Sequence, residues 1–139
     1  MYQWFKYSVV IMAFIGLNAA SADPAKVSLD KEFSLGIGQT ASIEGEKLVI
    51  KFKAVLEDSR CPINVVCVWA GNGKVELEAL DIDGQNKTVS LNTEDEPGAA
   101  TLKGHKLKLI SLRPPRIDGV PISPGDYSVR LRVEKNSSD

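Results

Sequence analysis

Little in this chain is of the kind that does chemistry. Its 139 residues include one histidine, His105, and two cysteines, Cys61 and Cys67, and only 6% are aromatic. Histidine-ligated metal centres, and Ser-His or Cys-His nucleophiles, need several such groups held together by the fold. With both thiols oxidised, His105 would have only carboxylates and hydroxyls to work with. Charge bias is missing too: 17 Lys and Arg face 18 Asp and Glu, a formal net charge of −1. That balance argues against nucleic acid or an anionic membrane surface as partner. No helical-period apolar run appears beyond the N-terminus, and there is no internal repeat or low-complexity tract.

The N-terminus itself reads as an export signal. Lys6 supplies a short positive region, residues 7–17 are apolar, and Ala20-Ser21-Ala22 gives a small-residue cleavage pattern. The apolar run is too short and wrongly flanked for a stable membrane span. Residues 1–22 are therefore expected to be removed after Ala22, leaving 139 − 22 = 117 residues as a single domain at 23–139. Removing Lys6 takes the net charge to −2. An exported chain with two cysteines is expected to carry one Cys61–Cys67 bridge, in the periplasm or outside the cell.

What remains is rich in strand signals. Leu48, Ile50, Phe52, Ala54 and Leu56 alternate with Lys47, Lys51 and Lys53, and Val75, Leu77 and Ala79 with Lys74, Glu76 and Glu78. Period 2 of this kind marks half-buried strands, whose Lys and Glu faces would pair across an antiparallel ladder. Two short strands are expected between Val27 and Glu44, one at Thr88–Leu91, and one at Lys106–Leu112 with a bulge where Leu109-Ile110 slips phase. The cleanest is the last, with Tyr127, Val129, Leu131 and Val133 inward. Residues 113–125, with four prolines and two glycines, cannot form a central strand, and the tail 136–139 should fray. Seven or eight short strands predict an antiparallel, Ig-like β-sandwich, with a small barrel as alternative.

Between the first two of those patterns lies the Cys61-x5-Cys67 loop. Six extended steps would separate the cysteines by about 20 Å, whereas a disulfide needs Cα atoms about 4.4–6.8 Å apart. The loop must fold back, and Pro62 supplies a fixed φ for the reversal. Closing so short a loop contributes about 2–2.5 kcal/mol by the chain-entropy account. Trp69 is placed to cover the bridge.

The stretch Asp58-Ser59-Arg60-Cys61-Pro62, followed by Cys67-Val68-Trp69-Ala70-Gly71, resembles a motif of small exported bacterial proteins. The resemblance spans about fifteen residues, implies an exported β-rich domain, and brings no activity with it.

Candidate sites follow from residue type. His105, beside Gly104 at a strand start, reads as a surface residue. Asp81-x-Asp83-Gly84-x-Asn86 has the look of a calcium loop, but its glycine is fourth rather than sixth and Asn92 stands where a bidentate glutamate belongs, so a hairpin turn is expected. Glu94-Asp95-Glu96 reads as a solvated acidic loop. No metal site and no cofactor are expected. Arg60 sits beside a disulfide-tightened loop of the sort that presents a side chain to a protease, and Arg113 and Arg116 could add a second contact. Small exported inhibitors of cysteine proteases of the chagasin-like family are similar in architecture, though their first-loop motif is missing and Arg113-Pro114 is followed by Pro115 rather than Trp. In the competing reading, Asp58 and Arg60 pair with each other or cap loop backbone groups. The chain as a whole is expected to be a monomeric, non-enzymatic binding or accessory module. Its partner would be a protein or small ligand, met through end loops that include Asp58, Arg60, Trp69, Arg113 and Arg116. A protease inhibitor presenting Arg60 is the alternative.

Overall fold

The computed structural model describes residues 23–81 and 84–136, which form nine strands. These are β1 (Ala25–Val27), β2 (Glu32–Gly36), β3 (Thr40–Ile43), β4 (Leu48–Asp58), β5 (Gly73–Asp81), β6 (Asn86–Asn92), β7 (Ala99–Leu102), β8 (His105–Arg113) and β9 (Ser128–Lys135). One sheet has the order β1-β3-β4-β5-β6 and the other β2-β9-β8-β7. Both are open, so the molecule is a β-sandwich and not a barrel. Every pairing is antiparallel except β1 with β3, which runs parallel. The expectation of seven or eight strands missed β1, a three-residue piece too short to show alternation.

Inward-facing residues of both sheets form one core. Ile50, Phe52, Val75, Leu77 and Leu91 from the first sheet meet Leu107, Val129, Leu131 and Val133 from the second, all fully buried. On the outer face of the first sheet, Lys53 lies 3.6 Å from Glu76 and 4.0 Å from Glu78. On the second, Glu134 lies 2.9 Å from both Lys108 and Arg132. Such exposed pairs add little to stability, but they keep the outer faces wet.

Two bulges correct the reading of β4. Register shifts fall between Phe52 and Ala54 and between Val55 and Glu57. Each extra residue reverses the side-chain alternation. Val55 therefore packs against the core, and Leu56, expected inward, is 49% exposed. The bulge expected in β8 is present between Leu109 and Ser111. His105, expected on the surface, is instead buried at the far end of the sandwich. Its Nδ1 lies 3.1 Å from the Lys103 carbonyl oxygen, and its Nε2 stands 3.2 Å from Glu46 Oε2 without hydrogen-bond alignment. Residues 137–139, expected to fray, and residues 82–83 of the expected hairpin turn, including Asp83 of the calcium-like pattern, lie outside the described residues.

The bulges make opposite predictions for neighbouring apolar residues. Phe52→Ala should lower unfolding free energy in urea by about 3–5 kcal/mol, whereas Leu56→Ser should stay within about 0.5 kcal/mol of the parent. Comparable losses at both positions would mean that β4 keeps a single phase.

Candidate functional site

β4 and β5 do not meet in a tight hairpin. Fourteen residues, 59–72, stand between them, and these divide into a polar neck and an apolar tip. In the neck the two limbs are laced together. Ser59 N donates to Asn72 O at 2.8 Å, Asn72 N to Ser59 Oγ at 3.1 Å, and Cys61 N to Ala70 O at 2.8 Å. Gly71 makes that approach possible. It has φ +71°, and a Cβ there would fall 1.8 Å from the Ser59 carbonyl oxygen. Asn72 is buried and spends its amide on the acidic loop. It donates to Asn92 Oδ1 at 2.9 Å and accepts from the backbone N–H groups of Glu94 and Asp95 at 3.3 and 3.4 Å. Gly73 N closes the same corner on Thr93 Oγ1 at 2.8 Å.

Beneath the neck sits a charged pair. Arg60 donates from Nε to Asp58 Oδ1 at 2.6 Å and from Nη2 to Oδ2 at 2.7 Å. The fork continues to the carbonyl oxygens of Leu112 at 2.7 Å and Pro114 at 3.0 Å. Tyr127 OH adds a third bond to Asp58, at 2.8 Å. One carboxylate thus joins the end of β4 to the cysteine loop and to the lead-in of β9, and through Arg60 to the end of β8. Burial pushes the Asp58 carboxyl up, but the hydrogen bonds from Arg60 and Tyr127 outweigh it and hold the group below the usual aspartate range. Burial, reinforced by the Asp58 charge, pushes the Tyr127 phenol up.

The proline-rich connection, 114–127, is drawn against the cysteine loop. Ile63 N donates to Arg116 O at 2.9 Å, Arg116 Nη1 to Arg60 O at 2.6 Å, and Asp118 N to Asn64 Oδ1 at 2.8 Å. Both segments therefore occupy one end of the sandwich. Beyond them the tip is bare. The Cys61–Cys67 bridge closes it with a Cα separation of 6.0 Å. Val66 and Val68 are 102% and 110% exposed and Trp69 61%, with Ile63, Val65, Ile117 and Val120 also exposed nearby. An open groove of about 310 Å³ is lined by residues of both loops, among them Arg60, Ile63 and Arg116, together with Glu94 and Ile110.

The structure sorts the residues singled out in the sequence. Asp58 and Arg60 pair with each other, as the competing reading had it. The inhibitor alternative, which needs Arg60 exposed at the loop tip, does not find it there: its side chain is 13% exposed and makes four hydrogen bonds. Arg116 staples the two loops, and Arg113 points to solvent at the end of β8. Trp69, expected over the bridge, lies largely in water. The acidic loop 94–96 is exposed, as expected. Among the described residues, no three of His, Cys, Asp and Glu gather closely enough to hold a metal ion. No helix among them is long and apolar enough to cross a membrane.

Residue-type reasoning passed over Gly71, Asn72 and Tyr127, whose roles depend on distant partners. It also passed over the apolar tip, for which a signal existed. Residues 61–73 contain no charged side chain, yet Val65, Val66, Val68 and Trp69 fall in a loop. No family model matches this chain, and no curated protein or solved structure does either.

Two predictions test the neck. Gly71→Ala should cost about 3 kcal/mol or more, because left-handed backbone is compounded by a backbone clash. Gly38→Ala, at φ +82° but with open space around it, should cost only about 1–2 kcal/mol. Equal losses would remove the close approach as the cause. The Asp58–Tyr127 bond should show in pH dependence. A depressed Asp58 gives stability present above about pH 4 and lost as pH falls through its folded value; a raised Tyr127 gives stability present below about pH 10 and lost as pH rises through its own. Tyr127→Phe should therefore lower stability by about 1–2 kcal/mol near neutrality, and the deficit should shrink towards both extremes. A deficit constant from acid to alkali would show that the bond contributes nothing.

Proposed function

We propose that this protein is an exported, non-enzymatic β-sandwich that binds a partner through its end loops, acting as a monomer without a cofactor. The binding surface is the disulfide loop from Asp58 to Trp69 together with the connection 113–125. Export is supported by the leader pattern of residues 1–22 and by the bridge, which belongs in an oxidising compartment such as the periplasm or the cell exterior. The observation that carries the reading is the bare apolar tip. Single exposed apolar residues are ordinary, but a contiguous group rimmed by polar ones marks an interaction site. Here seven apolar side chains gather on two loops that hydrogen bonds hold together.

Rigidity favours the same reading. A loop held by a bridge and a laced neck loses less freedom on binding than a loose one. The alternative in which Arg60 is presented to a protease lacks that support, because the guanidinium is turned inward and commits four hydrogen bonds to Asp58, Leu112 and Pro114.

The test is direct. Exported parent protein and a Val66→Asp/Val68→Asp double variant are immobilised and exposed to extract from their own compartment. The parent should retain a partner that the variant loses by about tenfold or more, a difference of at least about 1.4 kcal/mol, while urea midpoints agree. Identical capture by the two, or none by either, would refute the proposal.

A further inference from the structure

We infer that the tip fits the substrate cleft of an endopeptidase with small-aliphatic specificity, and that Val66 and Val68 are the side chains it takes. This rests on the tip being a binding surface, and it says what kind of surface lies opposite. The first observation is chemical. From Cys61 to Gly73 there is no charged side chain, so the partner cannot recognise this strip by ion pairing. The second is geometric. Val66 and Val68 stand completely clear of the molecule, while Cys67 between them is tied back to Cys61. Two outward β-branched residues flanking a tethered one form a protrusion suited to adjacent pockets in a concave site.

The third observation decides between a protein and a lipid surface. The backbone N–H and C=O groups of Val66, Cys67, Val68 and Trp69 make no hydrogen bond to any described residue. Hydrocarbon cannot satisfy such groups, and inserting them unpaired is costly. A cleft that binds peptide main chain satisfies them while its pockets take the side chains, as in strand-like peptide recognition. Valine also has little rotamer freedom to lose on being seated. The neck below supplies what an inhibitor needs and a substrate lacks. Four hydrogen bonds on Arg60, the Ser59–Asn72 and Cys61–Ala70 links and the bridge keep the strip in place.

The experiment uses the exported protein against an elastase-type serine endopeptidase, assayed on a chromogenic peptide with valine at the cleaved position. Competitive inhibition is expected, with the inhibition constant raised about tenfold or more by Val66→Asp and by Val68→Asp, and left unchanged by Leu56→Asp, an exposed apolar residue off the tip. Phosphatidylcholine vesicles serve as the competing surface, and the protein should not sediment with them. Absence of inhibition, inhibition indifferent to both tip variants, cleavage within 66–69 with loss of inhibition, or sedimentation with vesicles each overturns the inference. If the compartment's partner is still captured in a tip-dependent way while the endopeptidase is unaffected, only the identity of the cleft is wrong. If neither responds to the tip variants, the binding surface itself is wrong.

Discussion

A carboxylate withdrawn from water at the edge of a sandwich has to be matched, and Asp58 is matched three times, twice by Arg60 and once by Tyr127. Isolated, either charge would be expensive to bury. Together, with Arg60 also satisfying the carbonyl oxygens of Leu112 and Pro114, they tie the end of β4 and the cysteine loop to the paired ends of β8 and β9. The bidentate fork gives the pair direction as well as energy. It fixes how the cysteine loop leaves β4, and hence where everything beyond Cys61 stands.

The end of the molecule is consequently divided in two by chemistry. Below the bridge nearly every polar group has a partner. Ser59, Asn72, Asn92 and Thr93 exchange hydrogen bonds across loops, and Gly71 removes the one side chain that would hold the limbs apart. Above the bridge the side chains are apolar and exposed, and the main chain from Val66 to Trp69 has no hydrogen-bond partner among the described residues. The stretch Asp58-Ser59-Arg60-Cys61-Pro62 is thereby accounted for as a scaffold. Its charged residues, which attract attention as potential contacts, are consumed in holding the loop; the plain valines are what it holds out. At the opposite end of the sandwich the buried His105 is packed between a carbonyl and a carboxylate.

Strand positions were legible because alternation is a local property. The 75–79 and 129–133 segments follow it closely, and each inward residue named there except the half-buried Tyr127 is in the core. Leu56 went the other way because two bulges intervene. The β8 bulge is marked by the phase slip at Leu109-Ile110, but the alternation from Leu48 to Leu56 runs straight through those in β4, which show only in the register with β5. β1 was illegible at three residues, as was its parallel pairing with β3. For the site, the bridge and the shared location of two loops could be anticipated from spacing and composition. The burial of Arg60 could not, since two of its acceptors lie 52 and 54 residues downstream.

By itself the sequence determined an all-β domain with one short-range disulfide, because period-2 patterning and the Cys61–Cys67 spacing constrain neighbours along the chain. Only the tertiary structure decided which residues of the cysteine loop face inward and which face water. That choice depends on groups far off in sequence. The Leu112 and Pro114 carbonyls and the Tyr127 hydroxyl draw Asp58 and Arg60 in, and nothing comparable among the described residues reaches Val66 or Val68.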